Sequence, residues 1–259
     1  MASYLDRFRL DDRIAFVTGG AQGIGLATAQ ALAEAGADVT IGDRAPDAIA
    51  AAVAELGRAG LTVHGAELDV TDSAAVDRAA EALAQAHGRV DILVNNAGIA
   101  RSETAAEDVA DEHWLNVIDV NLNGAFWCAR AFGRRMLAQG RGVIVNVGSM
   151  SGLIVNRPQP QSYYNASKAA LHHLTKSLAA EWAPRGVRVN AIAPTYINTP
   201  INAFADREGE MYRRWIDSTP MGRLGEPDEI AAIALFLASE ASSLMTGAIV
   251  VADGGYTCW

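Results

Sequence analysis

The sequence predicts an α/β fold: a single domain over residues 1–259, built on a doubly wound, seven-stranded parallel sheet with helices on both faces. Three observations predict it. Seven short runs rich in valine and isoleucine are spread along the chain, and longer alanine-rich segments of helical pattern separate them. The runs are nearly continuous in hydrophobicity, as strands covered on both faces require. No repeat, linker or low-complexity tract interrupts them, and half of the 259 residues are hydrophobic, enough for one large core.

The strand runs are RIAFVTG from Arg13, DVTIGDR from Asp38, LTVHGAELDV from Leu61 and DILVNNAG from Asp91. GVIVNVGS from Gly142, RVNAIAP from Arg188 and GAIVVADGG from Gly247 complete the seven. Helical patterns fall at 23–35, 45–58, 73–87, 124–137 and 162–182. The segment 195–219 breaks the alternation. It follows a strand, is polar and aromatic, and stops before Pro220. A long insertion after a strand's carboxyl end is expected to form a substrate lid.

Composition excludes several classes. The balance of 21 basic against 30 acidic residues gives a net charge of −9, which repels phosphate backbones and argues against nucleic-acid binding. Cys128 and Cys258, the two cysteines, suggest no disulfide framework. No apolar signal core and no membrane-length run is visible, so a cytoplasmic protein without membrane contact is expected.

The first strand runs into TGGAQGIG. Gly19, Gly23 and Gly25 have the spacing Gly-x-x-x-Gly-x-Gly between a strand and a helix. Glycines there permit a tight turn and close approach of backbone to a pyrophosphate, which rests on the positive end of the helix. Gly19, Gln22, Gly23, Ile24 and Gly25 are therefore expected to hold a dinucleotide, as in a Rossmann fold. Asp43 ends the second strand eighteen residues past Gly25. A carboxylate there accepts from the ribose hydroxyls and repels a 2′-phosphate, so NAD is expected over NADP, although Arg44 could bind that phosphate. The alternative is that Asp43 caps the helix beginning near Pro46.

The stretch QSYYNASKAAL opens the 162–182 helix. At about 100° per residue, Tyr164 and Lys168 share a face, whereas Tyr163 shares its face with Ser167. A phenol is a poor base at neutral pH, and a nearby ammonium is expected to pull its pKa down. Tyr164 can then exchange a proton with an alcohol while a hydride leaves the carbon. A surface Tyr–Lys contact is the alternative.

The motifs TGGAQGIG, NNAG from Asn95 to Gly98, Asn121, Ser149 and YNASK from Tyr164 to Lys168 occur together. With them the chain resembles the short-chain dehydrogenase/reductase family over essentially its whole length. The resemblance implies that Ser149 orients the substrate oxygen and that Tyr164 is the general acid/base. It implies that Lys168 lowers the Tyr164 pKa and binds nicotinamide ribose, and that Asn121 holds a water linking Lys168 to solvent. Asn95, Ala97, Gly98, Pro194 and Ile197 would flank the cofactor, Asp69 and Val70 would contact adenine, and Ile192 would offer a backbone contact. Asn121 could instead cap a helix, and Asn95 could join neighbouring strands. Many members carry Pro-Gly after the sixth strand; here it is Pro194-Thr195, and the Cβ leaves that backbone less free.

The loop SMSGLIVNRPQPQSYY is rich in hydrogen-bonding side chains, and a neutral polyhydroxylated substrate would use Ser149, Ser151, Asn156 and Tyr164, with Arg157, Gln159 and Gln161 nearby. Those loop side chains could equally face solvent or another subunit. GSMSG, TPMGR and the ending GGYTCW resemble bacterial polyol dehydrogenases of the galactitol type. This implies NAD-linked oxidation of a secondary hydroxyl of a polyol or vicinal diol to a ketose. A 3-oxoacyl or other small-ketone reductase, and a non-catalytic NAD-sensing regulator, are the alternatives. The family resemblance implies a homotetramer. No side-chain spacing suggests a metal; an Mg²⁺ at a subunit contact, held by the C-terminal carboxylate of Trp259, is the one metal expectation. Adjacent His172 and His173 point to different helix faces and are expected to be packing or surface residues.

Overall fold

Seven strands form from the valine- and isoleucine-rich runs: β1 (Ile14–Thr18), β2 (Asp38–Asp43), β3 (Val63–Glu67), β4 (Ile92–Asn95), β5 (Gly142–Val147), β6 (Val187–Pro194) and β7 (Ile249–Ala252). They make one sheet in the order β3-β2-β1-β4-β5-β6-β7, with every pairing parallel. The computed structural model describes residues 3–100, 104–202 and 209–259. Helices α1 (Gly23–Glu34), α2 (Pro46–Arg58), α3 (Ser73–His87), α4 (Asp111–Ile118), α5 (Ala125–Gln139), α6 (Ser162–Trp182), α7 (Glu210–Asp217) and α8 (Pro227–Ala238) complete it.

Side chains alternate across each strand, and both sets are buried. Ala15 and Val17 join one core with Val39, Ile41, Leu32 of α1 and Leu237 of α8. Ile14 and Phe16 join the other with Leu93, Ile144, Phe132 of α5 and Leu178 of α6. This two-sided burial is why β1 reads as a continuous apolar run. It fails at the edge: in β3 only Val63 is fully buried, because no strand covers its outer side.

Local chemistry sets the helix limits. Asp72 accepts from the backbone N–H groups of Ala74 and Ala75 at the start of α3, and Gly88 ends it at φ 72°. Pro227 opens α8 inside a capping box formed by Glu226 and Glu229. The helix expected at 124–137 begins earlier, because α4 runs through a π-helical turn, Asp119–Gly124, into α5. Of the expected lid, residues 203–208 lie outside the described residues, and the rest includes α7.

Strand order reverses between β1 and β4, so the crevice beyond their carboxyl ends is the switch point where ligands of such sheets bind. At the opposite end lies Asp91, 3% exposed. It accepts from the Ile14 backbone N–H and is flanked by Arg13, Arg89 and Arg141. No described helix is long and apolar enough to cross a membrane.

Candidate active site

The crevice is open because glycine forms its floor. Gly19 and Gly23 have φ of 61° and 55°, a region side chains disfavour. A Cβ at Gly19 would lie 2.9 Å from Ala97 Cα, and one at Gly25 would lie 2.1 Å from the Gly19 carbonyl oxygen. Gly25 thus serves the close seating of α1 against the loop and does not line the cavity, whereas Gly19, Gln22, Gly23 and Ile24 do. α1 carries no acidic residue in its first turn, leaving its N-terminus free to meet an anion.

Asp43 stands beside this loop. Its carboxylate accepts from the Ala21 N–H at 3.3 Å and the Arg44 N–H at 2.8 Å. It does not cap α2, whose N-cap is Ala45 with no side-chain bond. Asp43, Arg44, Asp69 and Val70 all line the cavity. Burial works to raise the Asp69 carboxyl, but bonds from the Thr71 N–H and hydroxyl hold it below its ordinary value.

Asn95 is not at the cavity. Its Nδ2 donates to the Ala125 carbonyl and to Asn146 Oδ1, joining β4 to β5 and α5. The next residue, Asn96, takes the place expected of it: Nδ2 donates to the Thr18 and Gly19 carbonyls, bracing the glycine loop. Asn96 follows the last residue of β4 and so faces the crevice; counting to the strand's end was the signal that could have found it. Ala97, Gly98, Pro194 and Ile197 line the cavity with it. Ile192 does not; it is wholly buried, and its carbonyl accepts from the Gly148 N–H. Thr195 lines the cavity, and its Oγ1 is buried without a partner.

α6 brings Tyr164 and Lys168 into the same cavity and turns Tyr163 away. Tyr163 is fully buried and packs against His113, with ring centres 4.4 Å apart and planes tilted by 50°. Lys168 Nζ donates to the Val147 carbonyl at 2.9 Å and lies 5.7 Å from the Tyr164 ring centre. Ser149, two residues past β5, has extended backbone, accepts from the Ser151 N–H at 3.1 Å, and hydrogen-bonds the Tyr164 phenol.

The expected lowering of the Tyr164 pKa by Lys168 is not what the geometry gives. Burial pushes the phenol up, and its bond with Ser149 works against that rise. Burial also pushes Lys168 down, to about 8. Withdrawal from water penalises both charged forms, and the ammonium is held toward Val147. Asn121, in the π-helical turn, caps no helix and does not line the cavity. Its Oδ1 accepts from the Ile99 N–H, and its Nδ2 donates to the Ile99 carbonyl and Ser167 Oγ.

The far wall is aromatic and amide. Tyr196 and Trp215 of α7 stack at 3.9 Å with an 8° tilt. Gln159 donates to the Tyr196 hydroxyl and accepts from Trp215 Nε1; Asn156 also donates to Tyr196 and accepts from Gln161. Asn156, expected to touch substrate, therefore stands behind the wall, while Ser151, Gln159 and Gln161 line it. Tyr196 and Trp215 escaped notice individually, though their segment's aromatic character marked it. Arg157 is exposed.

The Mg²⁺ expected at Trp259 finds no support: Trp259 is 82% exposed, and no metal-capable cluster of His, Cys, Asp or Glu occurs among the described residues.

This fold, with a glycine-floored crevice and a Ser–Tyr–Lys constellation, defines a nicotinamide-dependent oxidoreductase, and the chain belongs to the short-chain dehydrogenase/reductase family. Residues 19–257 match the family model described as "Enoyl-(Acyl carrier protein) reductase". The chain is 55% identical to galactitol 2-dehydrogenase of Rhizobium johnstonii, over 99% of this chain and 100% of that one. It is 54% identical to galactitol 2-dehydrogenase (L-tagatose-forming) of Cereibacter sphaeroides, over 99% of each. Among solved structures it superposes on gox2181 with a TM-score of 0.97 at 54% identity, covering 99% of this chain and 100% of that one. A gluconate 5-dehydrogenase from Burkholderia cenocepacia J2315, in complex with NADP and tartrate, gives 0.93 at 38% identity over 99% and 100%.

Proposed function

We propose that the protein oxidises a secondary hydroxyl of a sugar alcohol, galactitol or a related polyol or vicinal diol, reversibly to a ketose with NAD. The observation that carries the reading is the convergence of Ser149, Tyr164 and Lys168 on one cavity, opposite a wall of Tyr196, Trp215, Gln159 and Gln161. The two galactitol 2-dehydrogenases at 54–55% identity support the substrate class.

The residues present suit a dinucleotide: a glycine cradle that a Cβ would fill, a helix N-terminus, and Asp43 beside them. Gly19, Gln22, Gly23, Ile24, Asp43, Asp69 and Val70 would hold it, with Ala97, Gly98, Pro194 and Ile197 beyond. When bound, a nicotinamide accepts or returns a hydride. In oxidation the deprotonated Tyr164 takes the substrate's hydroxyl proton as the carbon loses its hydride, and the C=O bond forms. In reduction the Tyr164 phenol returns that proton to the oxygen. Ser149 hydrogen-bonds the same oxygen and holds it against Tyr164. Lys168, anchored to Val147, places positive charge near the developing oxyanion. Asn121 has its side chain engaged, so a water that it holds for Lys168 would rest on its backbone carbonyl. The 195–219 segment would act as the substrate lid.

NAD over NADP rests on Asp43, although Arg44 shares the cavity and the gluconate 5-dehydrogenase structure holds NADP. Comparison of kcat/KM for the two cofactors tests it, and a strong preference for NADP would reject it. The second reading is a 3-oxoacyl or other small-ketone reductase, for which the family model's mention of acyl-carrier-protein substrates is the support. A panel of polyols against β-ketoacyl thioesters, read through the absorbance of NADH formed or consumed, separates them. Exposed Trp114 and Leu115 on α4, and Val251 on β7, would serve contacts in a homotetramer. Light scattering tests this; a monomer at assay concentration contradicts it.

A further inference from the structure

α6 presents three polar side chains at successive four-residue steps: Tyr164, Lys168 and His172. Four residues turn about 40° round a helix, so the three follow one face. The first two line the cavity; His172 lies one turn deeper, 5% exposed, and the proposed chemistry does not use it. Polar rings are not buried so deeply without a reason.

The ring is wedged under the turn that carries Ser149. Gly148 and Gly152 bracket that turn, and both are glycine where His172 meets them. A Cβ at Gly148 would lie 2.3 Å from His172 Nε2, and one at Gly152 would lie 2.7 Å from Nδ1. The backbone hydrogen bonds of the turn complete the picture. β5 ends at Val147, and the Gly148 N–H goes to the Ile192 carbonyl. The next N–H, that of Ser149, donates to His172 Nε2 at 3.5 Å. The other ring nitrogen, Nδ1, is buried with no partner. An apolar side chain of similar volume would fill this space and spare the unpartnered Nδ1, but it would leave the Ser149 N–H without its acceptor. What only the imidazole adds is an acceptor under Ser149.

We propose that His172 is a positioning residue: it accepts from the Ser149 backbone N–H and so fixes the Ser149 hydroxyl relative to Tyr164. The role requires a neutral ring with its proton on Nδ1, which leaves Nε2 as the acceptor. Burial, reinforced by the positive charges of Lys168 and Lys176, pushes the imidazole down to about 4, so it is neutral where the protein works. The long N···N distance makes this a weak bond, and its value lies in geometry: small displacements of a catalytic group cost rate far more than stability.

The proposal rests on the acid–base reading of Ser149 and Tyr164, not on the polyol; any alcohol that the protein oxidises serves as the probe. Three variants separate positioning from packing. His172→Leu fills the space without an acceptor. His172→Gln carries an amide oxygen to about the reach of Nε2, and His172→Asn carries one only to about the reach of Nδ1. Expected: Leu and Asn lower kcat by about tenfold or more, while Gln keeps about a third or more of it. The Kd for NADH, read by fluorescence, stays within about twofold in all three, because the glycine loop is untouched. His173→Leu, one residue on and exposed, is the control and leaves kcat unchanged. Equal kcat in Gln and Asn, or wild-type kcat in a folded Leu variant, would overturn the proposal and make the ring a packing residue. Should Leu fail to fold, the Gln-to-Asn contrast decides. If no alcohol is oxidised by the unaltered protein while NADH still binds, the acid–base reading itself has failed, a different result from either.

Discussion

At the scale of the residue, burial controls the chemistry. The Tyr164 phenol lies above its ordinary value, with its bond to Ser149 opposing the rise, and it must be deprotonated to accept a proton. Oxidation is therefore predicted to quicken as pH rises through the alkaline range, and reduction, which needs the phenol, to slow. Initial rates in both directions across pH check this; parallel profiles would contradict it. Tyr164→Phe should lower kcat by about 10³-fold or more while NADH binding persists. Asp43→Ser should shift the ratio of kcat/KM for NADP over NAD upward by about tenfold or more, since a repelling carboxylate is removed next to Arg44. His172 gives a stability test. Its folded pKa of about 4 lies below the ordinary 6.5, so the unfolded chain binds the proton more readily. The stability contributed is present above 6.5 and is lost as pH falls toward 4. Urea unfolding of His172→Gln should show a shallower loss over that window than the unaltered protein.

At the scale of the element, α6 decides which side chains meet. Its range, Ser162–Trp182, and that of α3, Ser73–His87, agree with the ranges read from sequence, because an amphipathic pattern bounded by turn residues is a local signal. α4 and α7 are eight residues each, too short for periodicity to speak, and α8 was not read either; its PDEIAAIALFLA is apolar round most of its circumference. The π-helical turn has no sequence signature, so Asn121 could be singled out but its bonds to Ile99 and Ser167 could not. The Asn95 and Asn96 exchange has the same origin: one residue of strand length decides which side chain faces the cofactor crevice. Asp72→Ala should destabilise the protein by about 1 kcal/mol through loss of the α3 cap, measured by urea unfolding; no change would show that the end bonds water equally well.

At the scale of the whole molecule, function and stability occupy opposite ends of one sheet. Reversal of strand order opens the crevice at the carboxyl ends, where the loops after β1 to β6 converge. At the amino ends, Asp91 ties β1 to three arginines on neighbouring segments. Removing it with Asp91→Ala strands the Ile14 N–H and should lower stability by about 2–3 kcal/mol, less than the ~3–5 kcal/mol for breaking a fully buried pair because the arginines stay partly in water. The Km for substrate and cofactor of the remaining folded protein should not move. Seven strands and their two-sided burial were legible because parallel sheets impose continuous apolar runs. The wall joining Tyr196 and Trp215 to Gln159 was not, since those contacts unite residues 37 and 56 positions apart. The measurement that bears most directly on the account is a polyol panel with NAD in which the product is identified, run on the unaltered protein and on Tyr164→Phe. The account predicts NADH formation with galactitol or a related polyol, a ketose product, and no turnover in the variant. Turnover of β-ketoacyl thioesters alone, or undiminished polyol oxidation by Tyr164→Phe, would contradict it.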